Sequence, residues 1–455
     1  MKTVNLFEYQ NREDIPFSNS ELEDLEIFLD NIWSARAEVN DAILQNNNDI
    51  EQQRFIQILR QTNQFKSNKY VGVIKFIDKQ INLLPKIFYQ NRSKLSNKEI
   101  ITINHHLIWW LSYSGKVRFP NYLSSMSSTS CDFLELIIYY FSFYTKNLLS
   151  SLMFLKYEDV ERESKYVKGR VDFNRYLTNN YVQGRWQEIN CIFDQYNLDN
   201  SFNRAIKYVA NLLLSITESQ DNKVNLREII MILDEVADTP VTVEELKRVC
   251  FNPFLDDYQV VKDYCLLFLQ NSISYSFKNE MRMFAFLLPM EQIFESFIYG
   301  FISKEIGEIK ARSQVTSTYF DERKFFNLRP DLVLRCNNMD IIADTKYKIV
   351  RNDLNPSKRV TVSDLYQVTT YAIRFGIDKI ILFYPMMIDD EMDYSQLIVV
   401  DDEFSKAKIE IKIVKLPIIN RDLYSDHEYS RLSIDEIFSK TTKILKDKIL
   451  EEVRW

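Results

Sequence analysis

Glycine is scarce in this 455-residue sequence, with 7 residues. So few glycines leave little material for loops that cradle phosphate, and no GxxxxGK[ST] segment occurs anywhere. Both absences argue against nucleotide hydrolysis by this chain itself. Histidine is rarer still, limited to His105, His106 and His427. The first two precede the apolar Leu107-Ile108-Trp109-Trp110, so they read as structural, and a Ser-His-Asp triad finds no support. The five cysteines, Cys131, Cys191, Cys250, Cys265 and Cys336, are odd in number, widely spaced and without a CxxC pair. Neither a disulfide framework nor a zinc site is expected from them. Met1 to Gln10 lacks a signal-peptide pattern. The most apolar run, Phe133 to Leu155, is long enough to span a membrane but carries Glu135, Lys146 and many Ser and Tyr residues. It reads as a buried or partner-facing helix, and the chain as cytoplasmic, reduced and without a membrane.

What is present is a globular composition, with 46% hydrophobic and 27% charged residues. The length allows two or three domains. Net charge is −7, an unpromising balance for a nucleic-acid enzyme. Its distribution changes the picture. Residues 1–51 hold 12 acidic and 3 basic side chains, which leaves the remainder about +2 and able to present a local basic groove.

Periodicity then divides the chain. Residues 20–64 read as helical, with Leu22, Leu25, Phe28, Leu29 and Ile32 in one stripe and Asn46-Asn47-Asn48 as an interruption. A hairpin is expected from Tyr70 to Phe76 and Ile81 to Phe88, turning at Asp78-Lys79, with Pro85 marking an edge or an end. Two aromatic helices follow at 98–114 and 131–155, joined by a Ser/Thr-rich loop, Ser124 to Ser130. Strand-like pieces carry Gly169-Arg170 and Gly184-Arg185, and a helix runs from Ser201 to Thr217. From Phe284 helices and strands alternate. Helices are expected at 290–310, opened by Pro289, and at 363–375, closed by Gly376. Strands are expected at 312–318, 331–336, 339–347, 379–384, 396–400 and 408–416. Ser433 with Glu436 forms a capping box for the last helix. The resulting division is 1–64 helical and acidic, 65–217 mixed, 218–280 a helical connector and 281–455 an α/β domain. The fold class is α+β multidomain.

The chemistry concentrates in Arg329-Pro330-Asp331 and Asp340-Ile341-Ile342-Ala343-Asp344-Thr345-Lys346. Asn337-Asn338 suits a two-residue turn, because Asn tolerates positive φ. Stepping outward from that turn, Asp331 and Asp344 come to lie opposite each other on one face. Directly opposed Cβ atoms are about 5 Å apart, close enough for two carboxylates to share a divalent ion. Lys346 projects from the same face, two residues after Asp344, while Ile341, Ala343 and Thr345 take the packing face. Two carboxylates and water suit Mg²⁺. Such a metal acidifies water and stabilises phosphate charge, and the lysine positions or deprotonates that water. Glu291 and Glu295, at i,i+4 on the preceding helix, each offer a third carboxylate. Gln367 and Tyr371 share a face of the following helix.

Together, Leu328-Arg329-Pro330-Asp331-Leu332-Val333-Leu334, Ala343-Asp344-Thr345-Lys346-Tyr347-Lys348 and Ser363-Asp364-Leu365-Tyr366-Gln367 resemble the nuclease domain of the McrC family, within the PD-(D/E)xK superfamily. Phe286-Leu287-Leu288-Pro289-Met290 and Ile293-Phe294-Glu295 are similar to the start of that domain, which puts Glu295 in the helix-glutamate position. Val71-Gly72-Val73-Ile74, Leu83-Leu84-Pro85-Lys86-Ile87, and the stretch from Gly184-Arg185 through Asp199-Asn200 to Asn203-Arg204-Ala205 extend the resemblance more weakly toward the N-terminus.

The resemblance implies a C-terminal nuclease domain with a mixed central sheet, over 281–455, and a partner-docking region over 65–217. It implies Mg²⁺-dependent cleavage of double-stranded, modified DNA, with catalytic Asp331, Asp344, Lys346, Glu295 and Gln367, and Mg²⁺ on Asp331 and Asp344. It implies a ring-forming AAA+ GTPase partner, McrB-like, that binds the GTP and whose hydrolysis this chain stimulates. The aromatic helices between 98 and 155 are candidates for the docking element. The rival readings are a non-cleaving activator of an AAA+ motor, and a nuclease of the same superfamily serving an unrelated defence partner.

Overall fold

The computed structural model describes the chain apart from residues 1, 10, 13–16, 19–20, 31–54, 60–63, 77–78, 91–94, 115–131, 277–281, 317, 351–359, 391–393, 402–407, 425–432 and 455. It divides into two compact units, Met1–Leu136 with Asn271–Trp455, and Ile137–Gln270.

The larger unit holds two mixed sheets. In the five-stranded sheet, Lys2–Phe7 runs parallel to Lys79–Leu84, followed by antiparallel Tyr70–Phe76, Arg282–Pro289 and Ser272–Ser276. The expected hairpin is therefore present. Its return strand lies inside the sheet and stops before Pro85, which has no N–H to continue the ladder. Asp78, half of the expected turn, lies outside the described residues. Leu6, Phe28, Phe55, Phe65, Phe76, Leu83 and Leu287 form the core against this sheet.

The reading of residues 20–64 as helical is corrected here. Residues 21–30 are helical, and Leu25, Phe28 and Leu29 are buried as their spacing requires. However, Ile56–Leu59 is a strand paired with Gln64–Ser67. Asn46 to Asn48, like Ser124 to Ser130, falls outside the described residues.

The six-stranded sheet has the order Lys310–Ser313, Leu332–Cys336, Met339–Thr345, Lys379–Pro385, Lys408–Leu416, Ser395–Asp401. Its first two pairings are antiparallel, the next two parallel and the last antiparallel. The expected strand at 312–318 is thus shorter and earlier, with Thr318–Tyr319 paired separately to Asn327–Leu328. Helix Val362–Phe375 packs Val368, Tyr371 and Ala372 on Ile342, Ile380, Leu382 and Ile411. It ends at Gly376 with φ 65, the left-handed position that glycine takes without a Cβ penalty. Ser433 and Glu436 form the expected capping box of helix Ile434–Val453.

Helices Asn97–Tyr113 and Met290–Glu305 cross at Gly300, where an added Cβ would sit 1.7 Å from the Tyr113 carbonyl oxygen. Trp109 stacks on Phe438 at 4.5 Å, and Trp110 stacks on Phe88 at 5.8 Å. Both tryptophans are buried, as are Phe133, Tyr140 and Phe141 on helix Phe133–Ser151. The aromatic residues at 98–155 put forward for docking are thus largely core, because helices this apolar are consumed by packing within the chain.

The smaller unit combines helices Ser201–Leu214 and Gln220–Ile232 with an antiparallel sheet of Lys156–Ser164, Ile189–Asn197 and Arg170–Val171. Arg170 opens a strand as expected. Gly184-Arg185 does not: Gly184, at φ 78, lies in a turn after the π-helix Tyr176–Tyr181. Asp199 receives Arg204 through two bonds of 2.6 and 2.8 Å, and Asn200 caps the helix that carries it. No helix among the described residues is long and apolar enough to cross a membrane.

Candidate active site

Asn337 and Asn338 have φ of 49° and 63°, the paired left-handed values of a tight two-residue hairpin turn. Cys336 therefore faces Met339, and the ladder continues without slip to Leu332 opposite Ala343. Asp331 immediately precedes Leu332 and Asp344 immediately follows Ala343, so the two carboxylates flank the same terminal pair at the open end of the hairpin. The parallel partner, Lys379–Pro385, pins the motif strand from the other side, with Asp344 opposite Leu382.

Asp331 accepts both the backbone N–H and the hydroxyl of Thr345 on its Oδ2, each at 2.8 Å. Thr345 was expected on the packing face. Instead it orients Asp331, a role hidden in the sequence because Asp331 lies beyond the last strand pair. Asp344 is 1% exposed. Its Oδ2 lies 2.6 Å from the Lys346 ammonium, yet no aligned hydrogen-bond donor meets that buried oxygen.

Burial, reinforced by the charge of Asp331 and opposed by Lys346, pushes the Asp344 carboxyl up to about 7. Burial opposes the Lys346 ammonium, but the carboxylates of Asp344, Asp331 and Asp364 outweigh it and raise its pKa above the usual lysine value. The lysine is therefore a fixed cation at neutral pH. Lys346 also donates to Gln367 Oε1 at 3.1 Å, and Gln367 donates through Nε2 to the Tyr371 hydroxyl at 2.8 Å. Tyr371 in turn donates to the Arg329 carbonyl at 3.3 Å. The Gln-x-x-x-Tyr face thus ties the motif lysine to the segment leading into Asp331. The Lys346 backbone N–H donates to the Phe383 carbonyl at 2.8 Å, which fixes the lysine's root.

The two helix glutamates separate. Glu291 pairs with Lys69 at 3.7 Å. Glu295 accepts from Gln314 Nε2 at 3.0 Å, and Gln314 donates its backbone N–H to the Asp331 carbonyl at 2.9 Å and accepts from Arg329. Glu295 is therefore one residue removed from Asp331. Among the described residues, no group of three or more His, Cys, Asp or Glu side chains converges as a metal cage.

Sequence reasoning missed Asp364. It is buried, receives Lys348 on both oxygens at 2.9 Å, and its charge acts on Asp344 and Lys346. As an acid in the first turn of a helix it carried only a capping signal. A second buried group stands behind the motif. Lys86 donates to the Tyr347 carbonyl at 2.7 Å, and its N–H reaches Glu8, whose carboxyl burial pushes up to about 7.

A buried carboxylate oxygen held by the Lys346 ammonium and beside a second carboxylate fits a hard divalent cation. Mg²⁺ needs only one or two protein carboxylates, with water and substrate oxygens filling its remaining positions. That no third acid converges among the described residues is compatible with that demand.

Comparison with known proteins agrees with this architecture. A family model described as a McrBC 5-methylcytosine restriction system component matches residues 65–385. A chain from the refined half-complex of the tetradecameric assembly of Thermococcus gammatolerans McrB AAA+ hexamers with bound McrC superposes with a TM-score of 0.63. That match covers 97% of this chain and 99% of that one, at 16% identity. A chain from the cryo-EM structure of the Thermococcus gammatolerans McrBC complex gives 0.50, covering 69% and 90% at 18% identity. No curated protein matches the chain.

Proposed function

The chain belongs to the McrBC 5-methylcytosine restriction-system family, and from that premise we propose that it is the McrC-like nuclease subunit, a PD-(D/E)xK phosphodiesterase that cuts DNA with Mg²⁺. The observation that carries this reading is the single face that gathers Asp331, Asp344, Lys346 and Gln367 on one hairpin and one helix. Asp331 and Asp344 would hold the metal. When bound, Mg²⁺ supplies an acidified water and positive charge for the scissile phosphate. Thr345 holds Asp331 in place. Lys346, a fixed cation, positions the attacking water and offsets charge on the phosphate. Gln367 and Tyr371 keep that ammonium aimed, and Glu295 supports the Asp331 segment through Gln314.

One of the two similar structures contains McrB AAA+ hexamers with bound McrC, and the other is a McrBC complex. We extend that partnership to this chain: a GTP-hydrolysing AAA+ ring binds the nucleotide, and this chain stimulates its hydrolysis. The docking surface is assigned to the exposed aromatic side chains Tyr157, Phe173, Tyr181 and Trp186 of the smaller unit.

Plasmid cleavage with Mg²⁺, the AAA+ partner and GTP tests the reading. Wild type is expected to cut, and Asp344→Ala to lose cutting by about a hundred- to a thousandfold or more, as removal of a principal charge-stabilising group does. Cutting by Asp344→Ala at the wild-type rate would refute the site. GTPase stimulation by a wild-type chain that never cuts would favour a regulatory subunit.

A further inference from the structure

A small β-ribbon leads directly into the candidate active site. Thr318 pairs with Leu328 and Tyr319 with Asn327, and Phe320 donates its N–H to the Phe326 carbonyl at 2.8 Å, one more step along the ladder. Phe320 and Phe326 are therefore directly opposed, with their side chains on one side of the ribbon. They are 56% and 67% exposed, and Phe325 beside them is 74% exposed. Three phenylalanines within residues 320–326 thus forgo burial.

The tip is shaped by its own chain. Asp321 accepts the N–H groups of Phe325 and Phe326 at 2.9–3.2 Å, and Lys324 adopts φ 61. Asp321 and Glu322 stand against the cations Arg323, Lys324 and Arg329 in this segment, which leaves an excess of one positive charge. The ribbon is tied at both ends to the helix that carries Gln367. Arg374 donates to the Tyr319 carbonyl at 3.0 and 2.8 Å, and Tyr371 donates to the Arg329 carbonyl. Asp331 follows Leu328 by three residues, so at most about 10 Å of chain separates them. The base of the ribbon is thereby fixed to the helix whose Gln367 holds Lys346.

We propose that this ribbon is a DNA wedge: Phe320 and Phe326 stack against bases of the duplex beside the phosphodiester presented to Asp331, Asp344 and Lys346, while Arg323, Lys324 and Arg329 meet the neighbouring phosphates. The proposal rests on the nuclease reading above and adds the surface that seats the substrate. Phenyl faces stack on any base, and inserted phenylalanines unstack duplex steps without selecting sequence. Flanking cations gain affinity by releasing counterions. Continuity with a phosphate-binding site and the local cationic excess favour DNA over protein as the occupant.

The test uses the full chain with its AAA+ partner, in EDTA, and a duplex of about 30 base pairs carrying 2-aminopurine. Binding is read by anisotropy and unstacking by 2-aminopurine fluorescence. Wild type and Asp344→Ala are expected to bind and to raise the fluorescence. Phe320→Ala/Phe326→Ala is expected to bind at least about tenfold more weakly and to lose the fluorescence rise, with unchanged circular dichroism. Phe320→Trp/Phe326→Trp should restore both. Arg323→Ala/Lys324→Ala should reduce the slope of log K against log salt by about 2. The wedge is overturned if the double alanine variant matches wild type, or if wild type binds no DNA. It is overturned equally if the variant keeps DNA but loses the AAA+ partner or self-association, which would make the ribbon a protein-docking surface. In the separate plasmid assay with Mg²⁺, cleavage by Asp344→Ala would instead sink the nuclease reading and leave the fluorescence result standing.

Discussion

Asp344 is the residue on which local cost and function meet. An ionised carboxylate that is 1% exposed and lacks an aligned donor destabilises the fold, and Lys346 offsets only part of that cost. Its pKa is raised, so its contribution to stability is fully present below the unfolded value of about 3.8 and is lost as pH rises through about 7. Asp344→Asn removes the charge and keeps the shape. In metal-free buffer at pH 8 the variant is expected to be more stable than wild type, by on the order of 1 kcal/mol or more. The difference should shrink as pH falls below 7. Added Mg²⁺ should stabilise wild type and leave the variant unchanged, since only a ligand of the folded state shifts its melting temperature. Thermal melts with and without the metal at pH 5 and 8 check both statements. A variant less stable than wild type at pH 8 without metal would contradict the idea of a strained carboxylate.

At the scale of elements, two contacts make sharper demands than the sheets do. Gly300 meets the Tyr113 carbonyl where two helices cross, and backbone on both sides leaves no side chain to move aside. Gly300→Ala should destabilise by about 2 kcal/mol or more, visible as a lower denaturation midpoint, despite alanine's better helix propensity. His106 joins helix Asn97–Tyr113 to the segment at Asn420. Its Nε2 accepts the Asn420 N–H at 2.8 Å and its Nδ1 lies 2.7 Å from the Thr102 carbonyl, an arrangement that suits the neutral ring. Burial lowers its pKa to about 3. The histidine therefore contributes stability that is full above the unfolded value near 6.5 and lost as pH falls toward 3. Stability measured from pH 7 to 4 should fall less steeply in His106→Gln than in wild type. The same slopes would show that the ring does not sense pH. These elements also show what the sequence made legible. The motif hairpin could be read in register, because Asn337-Asn338 and a period of two are local signals. Gly376 and the Ser433/Glu436 box marked helix ends for the same reason. The strands at Ile56–Leu59 and Gln64–Ser67 were missed because a helical stripe upstream overshadowed short strands whose identity is set by pairing. Thr345, Asp364 and the Glu8–Lys86 pair take their roles from partners distant in sequence, which no local pattern announces.

On the scale of the whole molecule, the two units divide the proposed tasks. The carboxylates and Lys346 lie in Met1–Leu136 with Asn271–Trp455, whereas the exposed Tyr157, Phe173, Tyr181 and Trp186 lie in Ile137–Gln270. The family match at residues 65–385 runs through both units. If chemistry and partner contact are physically separate, single substitutions should separate them too. Asp344→Ala is expected to stimulate the partner's GTP hydrolysis as wild type does while cutting nothing. Tyr181→Ala/Trp186→Ala leaves every residue of the metal face in place, so its failure should lie in association. Truncating two exposed aromatics of the proposed interface removes on the order of 2 kcal/mol each, together enough to weaken partner binding by about a thousandfold. Stimulation and partner-dependent cleavage should then fall together at low protein concentration and recover together at high concentration. Parallel titrations of GTPase activity and plasmid cleavage against chain concentration decide the matter. A deficit in Tyr181→Ala/Trp186→Ala that excess protein does not repair would place these aromatics outside the docking surface, and a GTPase defect in Asp344→Ala would mean that the two tasks are coupled through the metal face.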